Sequence, residues 1–191
     1  ISKQVALFTN DATKWILDNL YLLTVGFKDF ISYVVLNPLE TLLAGSPWYL
    51  TVGMLVALAL IISEIRIAVL ALVLAMLIVI SGLWYESMIT LTQTIVGTLL
   101  TMFVGIGLGI WTGRSERVER LLRPFLDAGQ TLPAFVYLVP MLGLFGPTRF
   151  TAIATGIVYA IPIVVKIVGE GIRSVPYSQV EAAMAAGSTT R

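Results

Sequence analysis

The sequence predicts an all-α membrane protein, and three observations carry that expectation. Apolar residues make up 58% of the chain and charged residues 12%, against about 25% charged in an ordinary soluble domain. The apolar residues fall in long runs divided by Gly, Pro and charge, not in alternation with polar residues. That disfavours a barrel and leaves helices to satisfy the backbone in lipid. Four of the eight arginines gather in one short segment, as they do on the inner side of a membrane. The mean hydropathy of +0.93 agrees. Cysteine and histidine are absent, which removes disulfides, thiol chemistry and the commonest metal ligand and general base, so no metal site is expected. A formal net charge of +1 gives no case for nucleic acid. From Ile1 onward no basic segment leads into an apolar core, so no signal peptide is expected.

Three regions follow from composition: residues 1–45, 46–84 and 85–191. In the first, Ile16, Leu20, Leu23, Phe27, Phe30, Ile31 and Val34 share one helical face, and Asp11, Lys14, Asp18, Lys28, Asp29 and Ser32 gather on the other. Such a helix lies in the membrane interface or packs on its own protein. Asn37-Pro38 is expected to break or bend it, and Gly45-Ser46-Pro47 to form a loop.

The second region holds two apolar runs, Trp48–Ser63 and Ile67–Leu83, joined by a charged turn as a tight hairpin. Both are a little short of the usual ~20 residues of a span. Trp48-Tyr49 and Trp84-Tyr85 flank them as interfacial belt residues on one side of the bilayer, with a cation-binding aromatic cage as the alternative.

The third region opens with a span over Ser87–Gly113. Gly97, Thr101, Gly105 and Gly109 recur at every fourth position, a stripe that lets helices approach closely. It serves helix packing or lines a translocation path. Arg114 to Pro124 is the charged segment, expected to be cytoplasmic. Glu116 with Arg120, and Glu119 with Arg123, stand one turn apart and are expected to pair. Gln130 to Phe145 is apolar but divided by Pro133 and Pro140, which predicts a kinked helix. A kink there is either a packing feature or faces a pathway, and Pro133, Phe135, Tyr137 and Pro140 are the candidates for a pathway wall. Phe150–Gly169 is the last span, with small residues at Ala152, Gly156 and Ala160. Counting spans from the arginine-rich loop gives five, with residues 1–47 outside.

Residues 176–191 close the chain. Ser178 and Glu181 have capping-box spacing, Gly187 stands where helices end in a left-handed residue, and Val180 and Met184 lie one turn apart. Ala182, Ala183, Ala185 and Ala186 leave little bulk outside the backbone. This is either an ordinary connecting helix or a knob for a socket on a partner.

The wording of this stretch favours the knob. Glu181-Ala182-Ala183 followed by Gly187 resembles the EAA---G loop of bacterial binding-protein-dependent ABC importer permeases. Gln130-Thr131-Leu132-Pro133-Ala134-Phe135-Val136-Tyr137-Leu138-Val139-Pro140 resembles a run found in the branch that carries glycine betaine, proline betaine or choline. Gly107-Leu108-Gly109-Ile110-Trp111 and Arg123-Pro124-Phe125-Leu126-Asp127 fit the same branch. The resemblance implies a type I ABC importer transmembrane domain, truncated after the EAA coupling helix. It implies that Ser178, Val180, Glu181, Ala182, Ala183, Met184 and Gly187 couple the chain to a cytoplasmic ATP-binding subunit. It further implies a second permease copy, as a homodimer, a substrate-binding protein, and a place in the bacterial inner membrane. ATP and Mg would be held by the partner ATPase, with no cofactor on this chain. An importer of another small solute, such as an amino acid or sulfonate, is the nearer alternative. An ion-coupled secondary transporter is a further one, although no carboxylate lies centrally in any expected span. A non-transporting scaffold would rest on the N-terminal helix, and an intramembrane enzyme lacks any nucleophile–base constellation.

Overall fold

The computed structural model describes residues 11, 14, 15, 19 and 22–188, so Ile16, Asp18 and Leu20 of the expected amphipathic face lie outside the described residues. Helices and short turns account for these residues, and no strand occurs among them. In order they are α1 (residues 22–44), α2 (Trp48–Ile62), α3 (Ile65–Ile80), α4 (Trp84–Arg114), α5 (Glu116–Thr131), α6 (Ala134–Phe145), α7 (Arg149–Arg173) and α8 (Tyr177–Ala185).

The chain forms two compact units. The first takes in the described residues up to Val96 together with Met141–Ile153; the second takes in Gly97–Pro140 and the chain from Ala154.

In the first unit, α1 departs from the expected regular helix. Two π-helical turns, Leu22–Gly26 and Ser32–Leu36, interrupt it. Each π turn adds residues to the helical circuit, so a 3.6-residue count loses register along the segment. The buried apolar positions are therefore Ile31, Leu36 and Leu43, with Thr24 buried as well, whereas Phe27, Phe30 and Val34 stay exposed. Asn37-Pro38 does not break the helix as expected. Asn37 keeps helical angles (φ −62°, ψ −46°) and the chain runs on to Ala44. Pro38 follows closely on the second π segment, where the backbone hydrogen-bond pattern is already irregular, so its missing N–H does not interrupt a regular α-helical ladder. The bend comes later, at Gly45-Ser46-Pro47, where the helix turns by 102° into α2. Phe150 closes this unit, stacking edge-on against Phe27 at 6.0 Å and Phe145 at 5.0 Å. The Arg149 guanidinium pairs with Glu40 beside it.

α2 and α3 are a hairpin across Ser63-Glu64. They bury only Thr51 and Val52, and Ala68 and Ala75. Their other sides are exposed apolar surface, with Ile61 82% and Ile80 80% accessible. A soluble surface does not carry so broad an apolar face, and lipid is the solvent that suits it. Trp48 meets Tyr49 edge-on at 5.9 Å in the first turn of α2.

Two helices, α4 and α7, are each long and apolar enough to cross a membrane. At 31 residues, α4 extends about 46 Å. α3, at 16 residues, reaches about 24 Å. α5 and α6 form one path bent by 102°. The break falls at Leu132-Pro133, while Pro124, Pro140 and Pro162 lie inside helices. Of the two prolines expected to divide this segment, Pro133 alone interrupts it.

In the second unit, α4 and α7 interlock. A Cβ added to Gly105 would stand 2.7 Å from Val164, one on Gly109 2.6 Å from Val168, and one on Gly113 2.9 Å from Ile172. Distances under 3 Å are closer than real Cβ contacts, so only glycine admits these valines and this isoleucine. Val165, fully buried, lies in the middle of that seam. The other small-residue row behaves differently: a Cβ on Gly156 would meet nothing within 4 Å.

Candidate functional site: the α8 helix and its root

α8 is built by its ends. Pro176, with φ −61° and ψ 138°, is the N-cap, and no side chain caps the helix start. The expected capping box is therefore absent. Ser178 is already the second helical residue, two positions past the N-cap and too late to accept from the first turn's N–H groups, and Glu181 has no cap to return to. The proline takes that place because its fixed φ suits the entry and its own N–H is not needed. The far end is a complete Schellman motif. Gly187 adopts φ +89°; its N–H donates to the Met184 carbonyl at 3.0 Å, and the Ser188 N–H donates to that of Ala183 at 3.0 Å.

No residue of α8 is buried. Val180 and Met184 lie on one side and are 38% and 40% accessible, and Ser178, Glu181, Ala182 and Ala183 are exposed as well. Nine residues held by backbone caps, none of them buried among the described residues, form an exposed peg.

Behind the peg is a set of charges that a reading within single helices missed. Glu119, Arg123 and Asp127 recur along one face of α5, and Lys166, Glu170 and Arg173 along one face of α7. Together with Thr112, Leu126 and Val165 they line a cavity of about 150 Å³. Lys166 Nζ lies 2.5 Å from Asp127 Oδ1 and 2.7 Å from Gln130 Oε1. Arg173 Nη2 lies 3.2 Å from Glu119 Oε1. The contact with Arg173 displaces the expected Glu119–Arg123 pair, and the expected Glu116–Arg120 ion pair is absent among the described residues. Glu119 turns to Arg173, Arg123 approaches Asp127 at 3.8 Å, and Arg120 Nε donates to the Glu116 main-chain carbonyl at 3.3 Å. An oppositely charged neighbour on another helix outcompetes an i,i+4 partner, which gains little on an exposed face. The hydrogen bond from Lys166, and then the positive charges of Lys166 and Arg123, hold the Asp127 carboxyl below its ordinary pKa; partial desolvation opposes them. The one signal in the sequence was complementary order: acid, base, acid at four-residue steps on α5, and base, acid, base on α7.

Ser115 makes the sharp turn between α4 and α5. It is extended (φ −138°, ψ 110°), and its Oγ accepts from the Val118 N–H at 3.5 Å.

The four candidates for a pathway wall do not converge. Phe135 is 80% accessible, and Pro133 and Pro140 are exposed. Tyr137 instead turns inward, tilted against Tyr159 at 6.4 Å. Of the small-residue stripe, Thr101, Gly105 and Gly109 are buried, and Gly97 is half-buried. Among the described residues no group of three His, Cys, Asp or Glu is placed to hold a metal ion.

Comparisons with known proteins converge on one family. The family described as "Binding-protein-dependent transport system inner membrane component" matches residues 105–191. The chain is 32% identical over 184 residues to the glycine betaine/proline betaine transport system permease protein ProW of Escherichia coli, covering 96% of this chain and 52% of that one. It is 34% identical over 168 residues to the glycine betaine transport system permease protein OpuAB of Bacillus subtilis, covering 86% and 60%. It is 30% identical over 173 residues to the trimethylamine N-oxide transport system permease protein TmoV of Ruegeria pomeroyi, covering 91% and 26%. The chain thus spans between a quarter and three fifths of the length of these relatives. The apolar, all-helical character of the described residues agrees with the family match: residues 105–191 belong to the inner-membrane components of binding-protein-dependent transport systems.

Proposed function

We propose that this chain is the permease subunit of an ATP-driven importer of glycine betaine or a related quaternary ammonium solute. The observation that carries the coupling half of this reading is α8: a pre-capped helix with no buried residue, at the end of a long apolar helix. In this reading Ser178, Val180, Glu181, Ala182, Ala183, Met184 and Gly187 form the surface seated in a cytoplasmic ATP-binding subunit. The small alanines let that subunit approach the backbone, and Val180 and Met184 supply apolar contact.

The chain pairs with a second copy of itself, and a substrate-binding protein delivers cargo from outside. ATP, with its Mg ion, is bound and hydrolysed by the partner; closure of the partner dimer moves α8, and the spans rock so that the cavity opens outward. Gly97, Thr101, Gly105 and Gly109 serve as the packing seam that keeps α4 with α7. Phe135, with Pro133 and Pro140, is the better-placed part of a pathway wall, because it is exposed, whereas Tyr137 braces the elbow. The N-terminal region lies outside and α8 inside. The cargo reading is supported by the names of the Escherichia and Bacillus relatives. Trimethylamine N-oxide, named for the Ruegeria relative, is a second reading with the same trimethylated nitrogen. Aromatic side chains of the binding protein recognise such a group by cation–π attraction.

Cysteine at Ala183, in the full transporter otherwise free of accessible thiols, is expected to crosslink to a cysteine placed in the ATPase groove. If no position from Ser178 to Gly187 crosslinks while the complex transports, α8 is not the coupling helix.

A further inference from the structure

The link between α7 and α8 is only Ser174-Val175-Pro176, and a short link transmits force only if its root is fixed. Arg173, the last residue of α7, does that fixing. Its guanidinium is divided between two acceptors on two other helices. Nη1 donates to the main-chain carbonyl of Thr112 at 3.1 Å, and Nη2 meets the Glu119 carboxylate at 3.2 Å. Thr112 is in the last turn of α4, where carbonyls have no partner within the helix. Glu119 is in the first turn of α5, which begins after the single residue Ser115. The cation thus sits at the negative end of α4, and its carboxylate partner at the positive end of α5, both favourable.

The same corner is sterically locked. Ile172 lies against Gly113, and a Cβ on Gly169 would stand 2.8 Å from Thr112 Oγ1. Thr112 is itself buried. The side chains of Arg173 and Glu119 are 34% and 28% accessible, so the pair is partly shielded from water and from salt.

We propose that Arg173 is a positioning residue for energy coupling: its forked contact binds the end of α4 and the start of α5 to the root of α8. A displacement of α8 then turns α4, α5 and α7 together, and is not absorbed at the Ser115 corner. The fork is the reason for arginine. A lysine ammonium is a point charge on a flexible stem and cannot hold a carbonyl and a carboxylate in one fixed geometry. The proposal rests on α8 being the ATPase-docking helix.

The test uses the full transporter, with its ATPase and binding protein, reconstituted in liposomes with glycine betaine as the probe. Uptake and ATP hydrolysis are measured on the same vesicles. Arg173→Lys is expected to leave binding-protein-stimulated hydrolysis within about twofold of wild type while uptake per ATP falls about tenfold, the factor that a single charge-assisted hydrogen bond corresponds to. Glu119→Gln, which keeps the Thr112 contact, is expected to show a smaller fall, and the exchange Glu119→Arg with Arg173→Glu to recover none of it, because it sets a carboxylate against the Thr112 carbonyl. Unchanged uptake per ATP in Arg173→Lys and Arg173→Ala overturns the proposal. So does a parallel loss of hydrolysis and uptake, which is the mark of a purely structural role. Wild-type vesicles whose uptake needs no ATPase would instead overturn the function proposed above.

Discussion

The hydroxyl of Tyr137 donates to the main-chain carbonyl of Gly129 at 2.7 Å, reaching back across the Leu132-Pro133 break from α6 to α5. Proline breaks free carbonyls that must find other partners, and this hydroxyl supplies one. Tyr137→Phe keeps the ring against Tyr159 and removes only the hydrogen bond. The expected loss is about 0.5–1.5 kcal/mol of stability, read as a lowered melting temperature of the purified chain in lipid nanodiscs. An unchanged melting temperature would mean that the elbow is held by ring packing alone.

Glycines along α4 and α5 divide into those that a neighbour touches and those that stand in the open. A Cβ on Gly129 would lie 2.9 Å from Pro162 Cγ, and one on Gly109 2.6 Å from Val168. A proline ring and a β-branched side chain have little room to yield. Gly109→Ala and Gly129→Ala are therefore expected to destabilise by about 1–3 kcal/mol, as overpacking does. Gly107 has nothing within 4 Å of an added Cβ, so Gly107→Ala should be neutral or stabilising by up to ~1 kcal/mol through helix propensity. Thermal unfolding of the three variants side by side checks the ordering.

Gly187 closes the Schellman motif at φ +89°. A leucine there would carry a left-handed penalty of about 1–2 kcal/mol and fray the last turn of α8. Under the function proposed here, Gly187→Leu is expected to insert normally and to uncouple ATP hydrolysis from uptake. Normal uptake by this variant would show that the C-terminal cap is dispensable.

The Asp127–Lys166 contact has a defined acid limb. Asp127 titrates below its ordinary value of 3.8. A carboxylate with a depressed folded pKa contributes stability above its unfolded pKa and loses it as pH falls through the folded one. The melting difference between wild type and Asp127→Asn should therefore be flat from neutral pH down to about 5, shrink below about 4, and vanish once pH has passed the depressed value. A difference that changes between pH 6 and 8 would point to another titrating group.

Helix positions, the Gly45-Ser46-Pro47 loop, the Pro133 break and the left-handed Gly187 were legible because each depends on its own few residues. Glycine and proline state their backbone demands locally. Charge partners were not legible in the same way. Counting one turn along α5 assigns Glu119 to Arg123, but the arginine that meets it comes from α7, 54 positions on. Pro38 misled for the opposite reason: it breaks a regular helix interior but not a hydrogen-bond ladder already disturbed, and the π turn that disturbs it leaves no mark in the sequence. The Ser178–Glu181 spacing failed because Pro176 had already claimed the N-cap.

The peg's self-sufficiency bears on how tightly anything can grip it. A nine-residue helix is marginal in water by itself, and a segment that had to fold on contact would give up about 1–2 kcal/mol per residue in backbone entropy at that moment. Pro176 at one end and the glycine cap at the other lower that cost in advance, within the chain. A partner that seats α8 would then meet a capped helix, and more of the modest apolar contact through Val180 and Met184 would go into adhesion.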